Sequence, residues 1–256
     1  MPRRTHGTHG RFLARQGAIR IGVLAAAAAV LVGGQPTTAN GTPTGERVVA
    51  RYSFDQQLVG GGAVDESGLG HTLRPIAADG GRLALVPHDS GRAVQFPPRC
   101  DTVPCPRAVL STDSTAALNP YAAPLRYGAS IRLTGPQAST QTLLHKGARG
   151  GGARYELRLE GTAATPHCVI AGPQGRAAHA VADGVSIADG RWHRLQCHRA
   201  STSLQVIVDD LVRGTAPLPA HLSIVNRAPL TVGATGAGQH NRQFHGVLDF
   251  VWISIG

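Results

Sequence analysis

The clearest alternation of apolar and polar positions runs from Asp189 to Asp210. After the turn pair Asp189-Gly190, His193, Leu195 and Cys197 fall on one side of an extended run. Ala200 to Ser203, small or flexible, then reverse the chain. In the return run Leu204, Val206 and Val208 point one way and Gln205, Ile207 and Asp209 the other. Period two on both sides of a short polar loop predicts a β-hairpin with one face on a core. Trp192, at its entrance, is read as part of that core with His193, Leu195, Val206 and Val208. Its large apolar body would fill space between layers, and its indole N–H would need a partner if buried.

The same reading predicts further strands over residues 48–55, 82–86, 93–96, 128–133, 141–146, 153–160, 167–170, 176–187, 222–233 and 244–255. In the first, Val48, Ala50, Tyr52 and Phe54 share a side. In 153–160, Tyr155, Leu157 and Leu159 face in, and Glu156, Arg158 and Glu160 face out. Residues 116–125, with Pro120 and Pro124, read as a surface turn, and 147–152 as a flexible tip. Short strands with turn signals every 8–12 residues, no sustained helical period and no fixed repeat predict an all-β antiparallel sandwich. Residues 48–256, about 210 in all, form one domain large enough for a substantial core.

Composition changes the picture first at the N-terminus. Five arginines and no acid occupy the first forty residues. An apolar stretch from Ile21 to Val32 and small residues ending at Ala39 follow. Basic, apolar, small is the order of a secretory signal peptide, so 1–39 is read as that signal, 40–47 as a flexible leader and the protein as secreted. The apolar run is shorter than the ~20 residues a membrane-spanning helix needs, so no permanent span is expected in the mature form. The formal charge of +10 reflects 25 Lys and Arg against 15 Asp and Glu; with the five signal arginines removed it falls to +5. The remaining arginines are scattered rather than clustered along one element, which argues against a nucleic-acid partner. Lys146, the only lysine, reads as a mark of GC-rich coding rather than of function.

Four cysteines in an exported chain imply two disulfides, and three connectivities are open. Cys100 with Cys105 and Cys168 with Cys197 is the favoured pairing, the second placed within one hairpin. No Cys-x-x-Cys pair supports metal ligation instead.

Gly-Arg-Trp-His-Arg-Leu (190–195) followed by Leu-Gln-Val-Ile-Val-Asp (204–209) resembles the central hairpin of laminin-G-like domains of the concanavalin A-like lectin/glucanase fold, with Asp210 where that pattern carries glycine. Tyr52 to Asp55 with Asp65 to His71, Thr142 to Gly147, and Phe244 to Ile253 resemble its opening, middle and closing segments in the right order. The resemblance implies a two-sheet antiparallel jelly-roll sandwich. It also implies a structural Ca2+ held by Asp55, Asp65 and Asp249, a chemically suitable set because calcium takes several carboxylate and carbonyl oxygens. The alternative is that Asp65, Ser67 and Gly68 make an Asx-type turn.

The same fold hosts glycoside hydrolases, which need two carboxylates flanking the scissile bond. Here Arg158 stands between Glu156 and Glu160 where a middle acid would be, and the two glutamates lie ~13 Å apart by strand rise. Asp209-Asp210 fits a turn. No metalloprotease or nucleophile-elbow motif is present. The chain is therefore read as a non-catalytic binding module for carbohydrate or cell-envelope polysaccharide. The alternative is a structural domain that binds a cell-surface protein without sugar affinity; a glycosidase is the weaker third reading. The candidate ligand-binding residues are Phe250 and Trp252, two apart on the closing strand and so on one face. Exposed there they form a stacking platform; covered by a loop or the leader they do not.

Overall fold

The computed structural model describes residues 45–56, 62–148 and 151–256; the segment expected to be a signal peptide and most of the expected leader lie outside the described residues. In chain order the strands are β1 (Arg47–Tyr52), β2 (Arg74–Ala78), β3 (Ala84–His88), β4 (Gly91–Gln95), β5 (Arg107–Thr112), β6 (Leu125–Thr134), β7 (Gln141–Gly147) and β8 (Arg154–Glu160). They continue with β9 (Thr165–Ala171), β10 (Ala177–Val181), β11 (Asp189–Arg199), β12 (Ser203–Val208), β13 (Leu211–Pro217), β14 (Leu230–Val232) and β15 (Val247–Ile255). One 3-10 turn, Ala116–Leu118, is the only helical element among the described residues. The larger sheet runs β13-β12-β11-β6-β15-β4-β3, with β1 also paired to β15. The smaller runs β10-β9-β8-β7-β14-β5-β2. Every pairing is antiparallel, as a jelly-roll sandwich requires.

Alternation fills the space between the layers. Tyr127 and Ile131 of β6, Leu195 and Cys197 of β11, and Val206 and Val208 of β12 meet Tyr155 and Leu157 of β8 and Ile170 of β9 in one buried cluster. Tyr127 crosses the interior to donate its hydroxyl to the carbonyl of Glu156 at 3.1 Å, and its ring lies 5.2 Å from that of Tyr155. Cys100 is bonded to Cys105 and Cys168 to Cys197. The second bond does not close a hairpin: Cys168 sits on β9 of the smaller sheet and Cys197 on β11 of the larger, so it ties the two layers through the core. A cross-link of this reach contributes ~2–5 kcal/mol in a secreted domain.

Trp192 is not in that core. The parity that sends Leu195 and Cys197 inward sends Trp192, Arg194 and Gln196 to the outer face, where Trp192 is half-buried. His193 is buried but is held by Asp189 and Asp209 rather than packed in the apolar cluster. Val48 also departs from the expected side. The pairing of β1 with β15 shifts between Val48 and Ala50, so Val49 is buried in its place. The strand expected over 222–233 shortens to β14, preceded by a single bridge between Ile224 and Tyr121. The segment read as a surface turn buries Leu118 completely.

Two buried cations hold that end together. Lys146 Nζ donates to Asn226 Oδ1 at 2.7 Å and to Asn119 Oδ1 at 3.4 Å; burial pushes its pKa down to about 8. Arg199 donates to the carbonyls of Tyr121 and Leu222. Neither has a carboxylate partner among the described residues.

Candidate functional site

Three neighbouring strands of the larger sheet build a groove on its outer face. β6 is the middle strand. Against Trp192, Arg194 and Gln196 of β11 it sets Arg132, Ser130 and Gly128. On its other side β15 pairs Asp249 with Ser130 and Trp252 with Gly128. Small residues in the centre and large ones on both flanks leave a cleft of about 550 Å³, completed by His88 and Asp89 from the β3–β4 turn and Asp209 from the β12–β13 turn. Gly128 is required there. A Cβ at this position would stand 2.5 Å from the Leu195 carbonyl oxygen and 3.3 Å from Trp252 Nε1.

The aromatic side depends on a bulge. From Leu248, strict alternation would turn Phe250 into the core. Instead the pairing with β6 shifts between Asp249 and Trp252, and Phe250 adopts a left-handed φ of 48°. Val251 and Ile253 then take the inward positions, while Phe250, 44% exposed, and the half-buried Trp252 face the cleft. Asp249 holds the bulge. One carboxylate oxygen accepts the Phe250 N–H at 2.7 Å and the other meets His88 Nδ1 at 2.5 Å. Burial raises the Asp249 pKa, with the His88 hydrogen bond working against it. The His88 ring so fixed stacks on Trp192 at 3.7 Å, and the Arg132 guanidinium lies 5.5 Å from the Trp192 ring centre. Among the described residues no protein acceptor takes either indole N–H, which leaves two donors for a ligand.

At the cleft's other rim, His193 bridges Asp209 at 2.8 Å and Asp189 at 3.0 Å. Burial lowers its pKa, but the two carboxylates outweigh that and the net shift is upward. Asp209 and Asp210 both have left-handed φ values, 50° and 64°, as a two-residue hairpin turn demands. Aspartate tolerates that conformation, which accounts for Asp210 where the resemblance expects glycine.

The three aspartates of the expected calcium set are not brought together. Asp65 accepts the N–H groups of Arg51, Ser67 and His71 and the Ser67 hydroxyl, which occupies its four lone-pair sites in an Asx-type turn. Asp55 accepts the Arg92 N–H, and it faces Asp249 closely enough to help raise that group's pKa. Among the described residues no three His, Cys, Asp or Glu side chains are placed to share a metal ion. Asp65 does not fit as a ligand. Glu156 and Glu160 lie on the outer face of the opposite sheet, each ion-paired to Arg158.

The sequence indicated Phe250 and Trp252 but not the rest of the cleft. His88 and Gly128 carry no local signal, because their role comes from strands far apart in the chain. Trp192 was legible as important and was placed on the wrong face.

Among solved structures, domain 4 of AbnA, an extracellular GH43 arabinanase from Geobacillus stearothermophilus solved with arabinotriose, is similar over 82% of this chain and 93% of its own, with TM-score 0.60 and 14% identity. The binding domain of Paraclostridial Mosquitocidal Protein 1 matches 81% of this chain at TM-score 0.58 and 11% identity. The binding domain of botulinum neurotoxin DC, solved with SialylT, matches 80% at 0.56 and 8%. The chain spans about half the length of these two toxin domains, 48% and 47%. These identities carry the fold alone. No curated protein matches the sequence. A family model described as the concanavalin A-like lectin/glucanases superfamily, of laminin G type, matches residues 127–254, half of the chain and all three strands of the cleft. The chain belongs to that family.

Proposed function

We propose that this protein is an extracellular, non-catalytic module that binds carbohydrate in the cleft between β11 and β15. The observation that carries the reading is the groove itself: Phe250, Trp252 and Trp192 stand over a floor of Ala129 and Ser130, with Gln196, Asp89 and Asp209 at hand. A sugar ring presents an apolar face and a polar rim, and an apolar cleft with a few placed polar groups is complementary to both. The similar arabinanase domain, solved with arabinotriose, supports a saccharide ligand. A second reading, docking of a cell-surface protein on the exposed Phe250, draws support from the botulinum DC domain solved with rat synaptotagmin II.

Titration calorimetry against a panel of neutral oligosaccharides, arabinan and galactan fragments included, tests the first reading. Trp252→Ala is expected to weaken binding about fivefold or more, since loss of one stacking aromatic costs ~1–3 kcal/mol. Equal affinity of Trp252→Ala and wild type, or no binding across the panel, would remove the cleft as a sugar site.

A further inference from the structure

A second cavity, of about 490 Å³, opens on the outer face of the smaller sheet where β7 and β8 meet the loop before β15. His145, Arg154, Glu156, Thr235, His240 and Arg242 line it, with small residues between them. Its floor holds one unpaired acceptor beside a carboxylate that is already paired. His145 Nε2 lies 2.9 Å from the carbonyl oxygen of Gly147. A carbonyl only accepts, so the proton of the neutral ring is on Nε2 and Nδ1 is a bare lone pair. That Nδ1 is buried without a partner, in a side chain 5% exposed, and it sits 4.0 Å from Glu156 Oε2, itself an acceptor. A buried unpaired acceptor in a native fold asks for a donor, and a single ligand hydroxyl donating to Nδ1 would satisfy it.

The walls carry the opposite chemistry. Glu156 is already neutralised by Arg242 at 3.1 Å and Arg158 at 3.5 Å. Arg154 reaches only the Gly152 carbonyl, at 3.3 Å, and has no carboxylate partner among the described residues. Burial above all, helped by Arg154 and Arg242 and opposed by Glu156, keeps His145 neutral. The loop is built to aim its side chains. His240 and Arg242 both occupy the left-handed region, at φ 55° and 54°, a strained choice for such residues. Asn241 between them is buried, donating to the Gly236 carbonyl at 2.7 Å and accepting the Thr235 N–H at 2.9 Å. Cationic walls over a hydroxyl-seeking floor match a molecule that carries both a carboxylate and hydroxyls.

We propose that this cavity binds the carboxylate-bearing ring of an acidic sugar, Arg154 and Arg242 donating to the carboxylate and His145 Nδ1 accepting a ring hydroxyl. The inference is independent of the aromatic cleft, which lies on the other face.

Calorimetry on the full chain, with oligogalacturonate and oligoglucuronate, their methyl esters and a sulfated oligosaccharide as probes, decides it. Wild type is expected to bind at least one of the two acids about tenfold more tightly than its ester. Arg154→Gln should lose about tenfold for the acid, as removal of a charged hydrogen bond does, with an unchanged melting temperature. Trp252→Ala should bind the acid as wild type does. Failure to bind either acid, equal affinity for acid and ester, or tighter binding of the sulfated probe would overturn the proposal. So would uronate binding that survives Arg154→Gln and is lost in Trp252→Ala.

Discussion

On the outer face of the larger sheet the aromatic side chains are Trp192, Phe250 and Trp252, above a floor of small residues. On the outer face of the smaller sheet, Glu156, Arg158 and Glu160 of β8 are joined to one another and to Arg242 and His167 in a run of ion pairs. Both faces are products of the same period-two alternation, and each sheet has already buried its other side. The difference lies in what the outward groups still lack. The ionic face pairs its carboxylates along β8 and, among the described residues, leaves His145 Nδ1 without a partner and Arg154 without a carboxylate at one cavity, whereas the aromatic face ends in ring surfaces and indole N–H groups that only water or a ligand can meet. Paired polar groups support the fold; unpaired ones, like uncovered rings, are available for recognition.

The sharpest way to break this contrast is Glu156→Gln. Glu156 is 1% exposed and accepts from Thr142 and Arg242. Removing its charge leaves cations around an uncompensated site, at a cost of about 2–3 kcal/mol, given that Arg242 is partly solvated. Urea denaturation should show that loss while affinity for a neutral sugar stays unchanged. Trp252→Ala should do the reverse, with little loss of stability and a large loss of binding. Equal stability of Glu156→Gln and wild type would mean that the ionic face is not structural.

A smaller effect lies at the rim of the cleft, in the pH dependence of the β11–β12 hairpin. The raised His193 contributes stability in full below its unfolded pKa, about 6.5, and loses it as pH climbs through the folded value. Asp189 is lowered by the Arg191 N–H and by His193. Asp209, pushed up by burial, is brought below its usual value by His193 and the Arg194 N–H. Such lowered carboxylates contribute above about pH 3.9 and lose it as pH falls through their folded values. The triad is therefore strongest between about pH 4 and 6.5. His145, His167, His179, His198 and His245, all lowered with burial as the largest cause, act in the opposite sense. The measurement is accordingly the difference in melting temperature between wild type and His193→Gln, expected to be greatest in that window and to shrink toward pH 8. A difference that grows with pH would contradict the assignment. Smallest of all is the expected response to a chelator. With Asp65 saturated by protein donors, EDTA should move the melting temperature by less than about 1 °C, and a larger fall would restore calcium to the first loop.

Much of this architecture was readable from local pattern. The β11–β12 hairpin alternates over a dozen positions, and its inward set, Leu195, Cys197, Val206 and Val208, is the set that fills the core. β5 escaped notice because it follows the proline- and cysteine-rich loop, and β13 because an exposed edge strand with Gly214 and Pro217 has no buried face to alternate. Lys146, dismissed as a coding artefact, is fully buried and ties two loops together. Of its partners, Asn119 lies on a segment whose composition reads simply as turn and Asn226 on one that reads as strand, so neither announces a side chain reaching Lys146.

The chain's own order of residues determined the strand periods, the two-layer class, the chemistry of the cysteines and the shared side of Phe250 and Trp252. All of these are settled by neighbours within a few positions. Only the tertiary structure decided that Gly128 lies between Gln196 and Trp252, that His88 caps Trp192, that the Cys168–Cys197 bond crosses the core and that a bulge turns Phe250 outward. Side-chain neighbours across a sheet depend on strand order and register, which are fixed by pairings many residues apart and by single-residue shifts that no local alternation records.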